Sequence, residues 1–130
     1  MIKQISQVKE FHEKFNIFIQ NSPKIPKDDL QLIRKTLIAK EALEVSEAIL
    51  ERHDLDQITK ELCDLLYVTY GTILTFGLQD KIEECFDEVH RSNMSKLGKY
   101  GKNIYRYDVK LLKGDNYSPA DIKKILNVVE

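Results

Sequence analysis

The sequence predicts an all-α protein, with a four-helix core, an irregular basic arm and a short C-terminal helix. Three observations carry that expectation. Apolar residues recur at three- and four-residue steps, as in Ile5, Val8, Phe11, Phe15, Phe18 and Ile19. Breakers fall between the periodic stretches, at Pro23, Pro26 and Gly77. Strand-like alternation is confined to one short segment, "NIYRYDVKLL". At 130 residues the chain is one ordinary domain, 1–130, with its core over 2–97 and the arm and terminal helix over 98–130.

The periodicity places the first helix over about residues 2–20, after which "NSPKIPKDD" breaks it. A second helix runs from about Asp28 to Arg52. Asp54 followed by Gln57 reads as a capping pair for a third helix, which Gly77 is placed to end. A fourth spans about Asp80 to Leu97. Residues 98–117 form the arm, and "SPAD" offers Ser118 as N-cap, Pro119 at the first helical position and an acid two residues later. Between Leu62 and Phe76 the third helix carries one charge, Asp64. A helix apolar nearly all round is buried on most sides, so it belongs at the centre of a bundle or under a second subunit. A homodimer or homotetramer is expected.

Composition narrows the function. Apolar residues make up 42 % of the chain, which argues against disorder. The formal charge is −1, but residues 1–95 hold 12 Lys/Arg against 17 Asp/Glu and residues 96–130 hold 8 against 4. An acidic body with a basic tail is not the footprint of a general nucleic-acid binder. It suits cations bridging protein carboxylates to an anionic ligand. Cys63 and Cys85 have no zinc-type spacing and read as buried free thiols of a reducing compartment. The opening "MIKQISQVKE" lacks the apolar core of a leader, and "LCDLLYVTYGTILTF" is short for a bilayer and contains an acid. A cytoplasmic protein without membrane or nucleic-acid partners is expected.

The chemistry lies in "LIAKEALEVSEAI". At about 100° per residue, Glu41 falls between Leu37 and Val45, and Glu44 falls beside Leu37 and Ala48. The solvent flank is marked by Thr36, Lys40 and Glu47. Glu61 and Asp64 repeat the pattern on the third helix, with Glu61 over Leu65 and Val68. If the two helices form an antiparallel hairpin, all four acids can meet. Two carboxylates about 5 Å apart repel by about 3 kcal/mol at an effective dielectric near ~20, so the group needs protonation, a basic partner such as Arg34, or a hard divalent cation. One such pair alone commonly means only helix-surface charge, with Glu44 pairing Lys40. Two pairs on packing faces favour the metal.

"KEALE" followed by "KELCD" resembles the E-x-x-E…E-x-x-D signature of the all-α NTP pyrophosphohydrolases, the superfamily of the MazG-like enzymes, the dimeric dUTPases and phosphoribosyl-ATP pyrophosphohydrolase. "LIRKTLIAKEALEVSEAI", "ELCDLLYVTYGT", "DEVHRSNMSK" and "LKGDNYSPADIKKIL" are each similar to MazG-like blocks in the same order, over roughly residues 8–126. The resemblance implies that Glu41, Glu44, Glu61 and Asp64 bind Mg2+, or Mn2+ in its place. It also implies hydrolysis of a nucleoside triphosphate, such as dUTP or another non-canonical or surplus deoxynucleotide, to the monophosphate and pyrophosphate. Asn93 and Lys96 would then contact the nucleotide, sharing a helical face with His90, which could bond to substrate although a lone helical His is more often structural.

One position departs from the family. The acid that often precedes the first ligand is Lys40 here, and Glu47, the nearest replacement, has an outward phase. Two further readings stay open: phosphoribosyl-ATP hydrolysis, and a catalytically weak helical module that binds nucleotide or a partner helix. The arm "LGKYGKNIYRYDVKLLKGDNY" interleaves four tyrosines with five basic residues. It reads as a solvated arm before it reads as a single-strand binder, and a flap closing over a triphosphate is a third reading.

Overall fold

A computed structural model describes residues 2–52, 54–97 and 116–127. Every regular element among them is a helix: α1 Lys3–Lys14, α2 Asp28–Leu50, α3 Leu55–Thr75, α4 Ile82–Met94 and α5 Ile122–Leu126. The all-α expectation holds. They fall into two compact units, Met1–Asp80 and Lys81–Glu130. The arm predicted over 98–117 lies outside the described residues except for Asn116 and Tyr117, and the alternating segment lies wholly outside them.

In the first unit α3 packs against both α1 and α2, the central position its composition called for. The α2–α3 pair is an antiparallel hairpin: Arg34 reaches Val68 and Thr72, while Glu41 meets Glu61 and Asp64, so numbers rise on one helix as they fall on the other. Ile5, Val8, Val45, Ala48 and Leu74 form its apolar core. Burying a side chain such as Ile5 or Leu74, each 0 % exposed, contributes about 1.5–3 kcal/mol.

The first helix ends at Lys14, short of the expected residue 20. Asn16 adopts φ 56°, and the Ile17 N–H donates to the His12 carbonyl at 2.8 Å, a left-handed asparagine cap. The chain beyond it then serves α3, with the Gln20 N–H donating to the Leu74 carbonyl and Lys24 N–H to the Phe76 carbonyl. Those bonds satisfy carbonyls that a helix end leaves without partners. The buried stripe of α1 also differs. Ile5, Val8 and His12 are inside, while Phe11, Phe15 and Phe18 are 38 %, 66 % and 42 % exposed.

Gly77 ends α3 as expected, with φ 71° and the Leu78 N–H donating to the Ile73 carbonyl. A Cβ here would also stand 2.0 Å from the Ser22 carbonyl oxygen, so glycine is required twice over. Asp54 occupies the N-cap of α3 as expected, but makes no side-chain capping bond. Cys63 is exposed, against the expectation of two buried thiols, and Cys85 is buried.

In the second unit α4 packs against α5. α4 stops at Met94 because its end tightens: Ser95, Lys96 and Leu97 donate to carbonyls three residues back. The cap of α5 is Asp121, which accepts from the Lys124 N–H. Ser118, the expected cap, exchanges hydrogen bonds with Ser95 instead. The two helices are tied by Glu88, whose carboxylate accepts from Arg91 at 2.6 Å and from the Asp121 N–H at 2.9 Å. The Arg91 guanidinium first, and the Asp121 amide second, hold the Glu88 carboxyl down at about 2.

Two outcomes follow. Gly77→Ala lowers unfolding free energy by about 2–3 kcal/mol in urea titrations; an unchanged midpoint would contradict the cap geometry. The Glu88 tie contributes stability above the ordinary carboxyl value of 4.5 and loses it as pH falls toward about 2. A stability difference between wild type and Glu88→Gln is therefore seen at neutral pH and vanishes in acid.

Candidate active site

The hairpin brings three acids to one point. Glu41 from α2 and Glu61 and Asp64 from α3 each offer a carboxylate oxygen, and these oxygens lie within 4.8 Å of one another. Helical phase explains the convergence: Val45 and Ala48 beside Glu41 and Glu44 are buried, whereas Thr36, Lys40 and Glu47 are exposed. All four acids are half-buried. Glu44 stands outside the three-membered group, its carboxyl against that of Glu41.

Electrostatics at the site are unbalanced. Burial pushes the Glu41 carboxyl above its ordinary value, and the adjoining Glu44 and then Asp64 push it further. Glu41 Oε2 and Glu61 Oε2 are buried with no hydrogen-bond partner. Buried carboxylate oxygens without donors are costly, and both belong to acids of the convergent group. An all-oxygen donor set of this kind suits Mg2+ or Mn2+ rather than a soft metal. The residues present fit such an ion.

Of the basic groups considered for neutralising the acids, Arg34 does something else. It is buried, and donates through Nε to Thr72 Oγ1 at 3.1 Å and through Nη2 to the Val68 carbonyl at 2.9 Å. Desolvation lowers its pKa. It also lies against Gly71, where a Cβ would stand 2.4 Å from Nη2 and 3.0 Å from His12 Nε2. Burial, with Arg34 adding to it, lowers the His12 pKa against the opposing Phe18 carbonyl. Arg34 is thus a staple between α2 and α3.

Among the described residues the cation that forms ion pairs with the acids is Lys60, which spacing alone does not single out. Its ammonium is 2.8 Å from Asp64 and 3.8 Å from Glu61. The i,i+4 interval from Lys60 to Asp64 was the available signal. The matching interval from Lys40 to Glu44 forms no ion pair among the described residues.

His90, Asn93 and Lys96 belong to the second unit. His90 and Asn93 lie on α4 and are exposed. Lys96 lies beyond the helix end, in the turn where its N–H bonds to the Asn93 carbonyl, so the expected shared helical face stops at Asn93.

A family model described as phosphoribosyl-ATP pyrophosphohydrolase matches residues 8–93. The chain belongs to that family, and with it to the MazG-like all-α NTP pyrophosphohydrolase superfamily. It is therefore a pyrophosphohydrolase, a hydrolase acting on a nucleotide-like substrate. The match includes both acid pairs, His90 and Asn93, and ends before Lys96. No curated protein matches the chain. Among the described residues no helix is long and apolar enough to cross a membrane.

The crowding of acids has a measurable cost. Because the Glu41 carboxyl is raised in the folded state, the charge destabilises the metal-free protein above the ordinary value and does not below it. In EDTA, Glu41→Gln raises unfolding free energy by roughly 1 kcal/mol well above that value, and the gain disappears on acidification. A loss of stability at both pH values would show that Glu41 is a structural anchor instead.

Proposed function

We propose that the protein hydrolyses a nucleoside triphosphate to the monophosphate and pyrophosphate, with Mg2+ or Mn2+ held by Glu41, Glu61 and Asp64 and flanked by Glu44. The observation that carries the reading is the convergence of three carboxylates within 4.8 Å, two of them with buried, unpartnered oxygens. A divalent ion there supplies phosphate coordination, charge neutralisation and activation of water. The chain's own part is to hold the acids convergent through the α2–α3 hairpin. Glu44 lies against Glu41 and is the acid beside the group that can orient water. Asn93 and Lys96 are the residues proposed to contact sugar or base and phosphate, with His90 as a third. A deoxynucleotide that is non-canonical or in surplus, dUTP included, is the substrate class we favour.

The family match supports a second reading within the same chemistry, in which the substrate is phosphoribosyl-ATP. Both substrates would release pyrophosphate and place the same demands on the acids. The protein is further proposed to act as a homodimer or homotetramer. In the single chain Leu43, Ile49, Leu50, Leu55 and Leu66 are 50–81 % exposed, more apolar side chain on two adjacent helices than a monomer usually presents.

Pyrophosphate release from dUTP, dCTP, the standard NTPs and phosphoribosyl-ATP, with and without Mg2+, tests this. Metal-dependent turnover of one or a few is expected, and the identity of the cleaved compound chooses between the two readings. Glu61→Gln abolishes that turnover while the circular dichroism of the fold persists. Full activity in this variant would remove the carboxylate group from the chemistry.

A further inference from the structure

The pentads "KEALE" on α2 and "KELCD" on α3 place a lysine immediately before each acid pair, and four residues before the second acid of that pair. The spacing is the same, but the structure treats the two lysines differently. Lys40 is exposed and forms no ion pair with the acids among the described residues, reaching Glu41 only through its field. Lys60 Nζ stands 2.8 Å from Asp64 Oδ2 and 3.8 Å from Glu61 Oε1, one ammonium against two of the three convergent acids.

Resting on the metal reading above, we propose that Lys60 is the site's internal counter-ion. Its ammonium holds the carboxylates together in the metal-free protein and is displaced when a divalent cation takes the same oxygens. Three features support this. The third acid, Glu41, also acts on the Lys60 ammonium, so the lysine lies in the field of the whole group. The side chain is 69 % exposed, and an exposed pair on a flexible four-carbon stem is weak enough to release. A depression of about 400 Å³, lined by Asp56, Gln57, Lys60 and Glu61, adjoins it and gives the withdrawn stem a place to lie. Lys60 also leaves the group incompletely satisfied, since Glu41 Oε2 and Glu61 Oε2 keep no partner. A single charge at the Asp64 corner therefore closes the site without matching its full demand, and a divalent ion competes successfully. The consequence is a metal affinity set partly by a residue that is not a ligand.

The test is isothermal titration of Mn2+ into the full-length chain in three forms: wild type, Lys60→Met and Lys40→Met. Displacement of a counter-ion predicts that Lys60→Met binds Mn2+ about three- to tenfold more tightly than wild type. Lys40→Met removes the same charge from the neighbourhood without breaking a pair, and it is expected to stay within about twofold. Binding by Lys60→Met where wild type shows none would support the proposal equally. If Lys60→Met binds no more tightly than wild type, or if Lys40→Met gains as much, Lys60 is an ordinary surface charge and the metal reading stands without it. If none of the three binds Mn2+, the metal reading falls and the proposal with it. Lys60 is exposed, so circular dichroism of the variant is expected to match wild type.

Discussion

The register of α2 against α3 is the constraint on which the site depends, and a buried guanidinium sets it. Arg34 crosses to the Val68 carbonyl and the Thr72 hydroxyl. Glu41 lies seven residues beyond Arg34, and Glu61 and Asp64 lie seven and eight residues before Val68 and Thr72. Two turns separate staple and site on each helix, about 10–12 Å along the axis. A slip of one turn, about 5.4 Å, would carry Glu41 away from its partners. The staple is demanding because it brings a charge into the interior. α3 admits it only because Gly71 has no Cβ, with His12 closing the other side of the same space.

The acids put the opposite pressure on the hairpin. Apolar packing at Val45 and Ala48 draws the α2 face inward, and Glu41 and Glu44 beside those positions are carried in with it. The cost shows in the Glu41 carboxyl, raised by burial first and by the neighbouring Glu44 and Asp64 after it, and in the buried oxygens left without donors. A structure selected only for stability would place apolar residues there. That it places carboxylates, in the register that makes them meet, is the physical case for chemistry at this point. The family match spans both acid pairs.

Helix type and order were legible because 3.6-residue periodicity and breakers are local signals, and the left-handed cap at Gly77 is a property of one residue. The inward phase of Glu41, Glu44 and Glu61 was legible for the same reason. Less legible were choices between neighbours of similar chemistry. Asn16 cut α1 short where apolar periodicity ran on, since asparagine tolerates the left-handed conformation and the chain beyond it found carbonyls at the end of α3 to bond. His12 displaced Phe11 from the buried stripe by gaining the Phe18 carbonyl as partner. The cap of α5 went to Asp121, while the Ser95 hydroxyl holds the backbone N–H and carbonyl of Ser118 ahead of it.

The sequence by itself determined the class of protein and which acids face inward, because helical phase is set by residues a few positions apart. Tertiary structure alone decided which of those acids meet. It grouped Glu41 with Glu61 and Asp64, left Glu44 at the side, committed Arg34 to Val68 and Thr72 of α3, and closed one of two equally spaced lysines onto the site. Those outcomes depend on the axial register of two helices and on which cation reaches a carboxylate within hydrogen-bonding distance. Neither is encoded in the spacing along a single helix, since Lys40 and Lys60 have the same spacing and different fates.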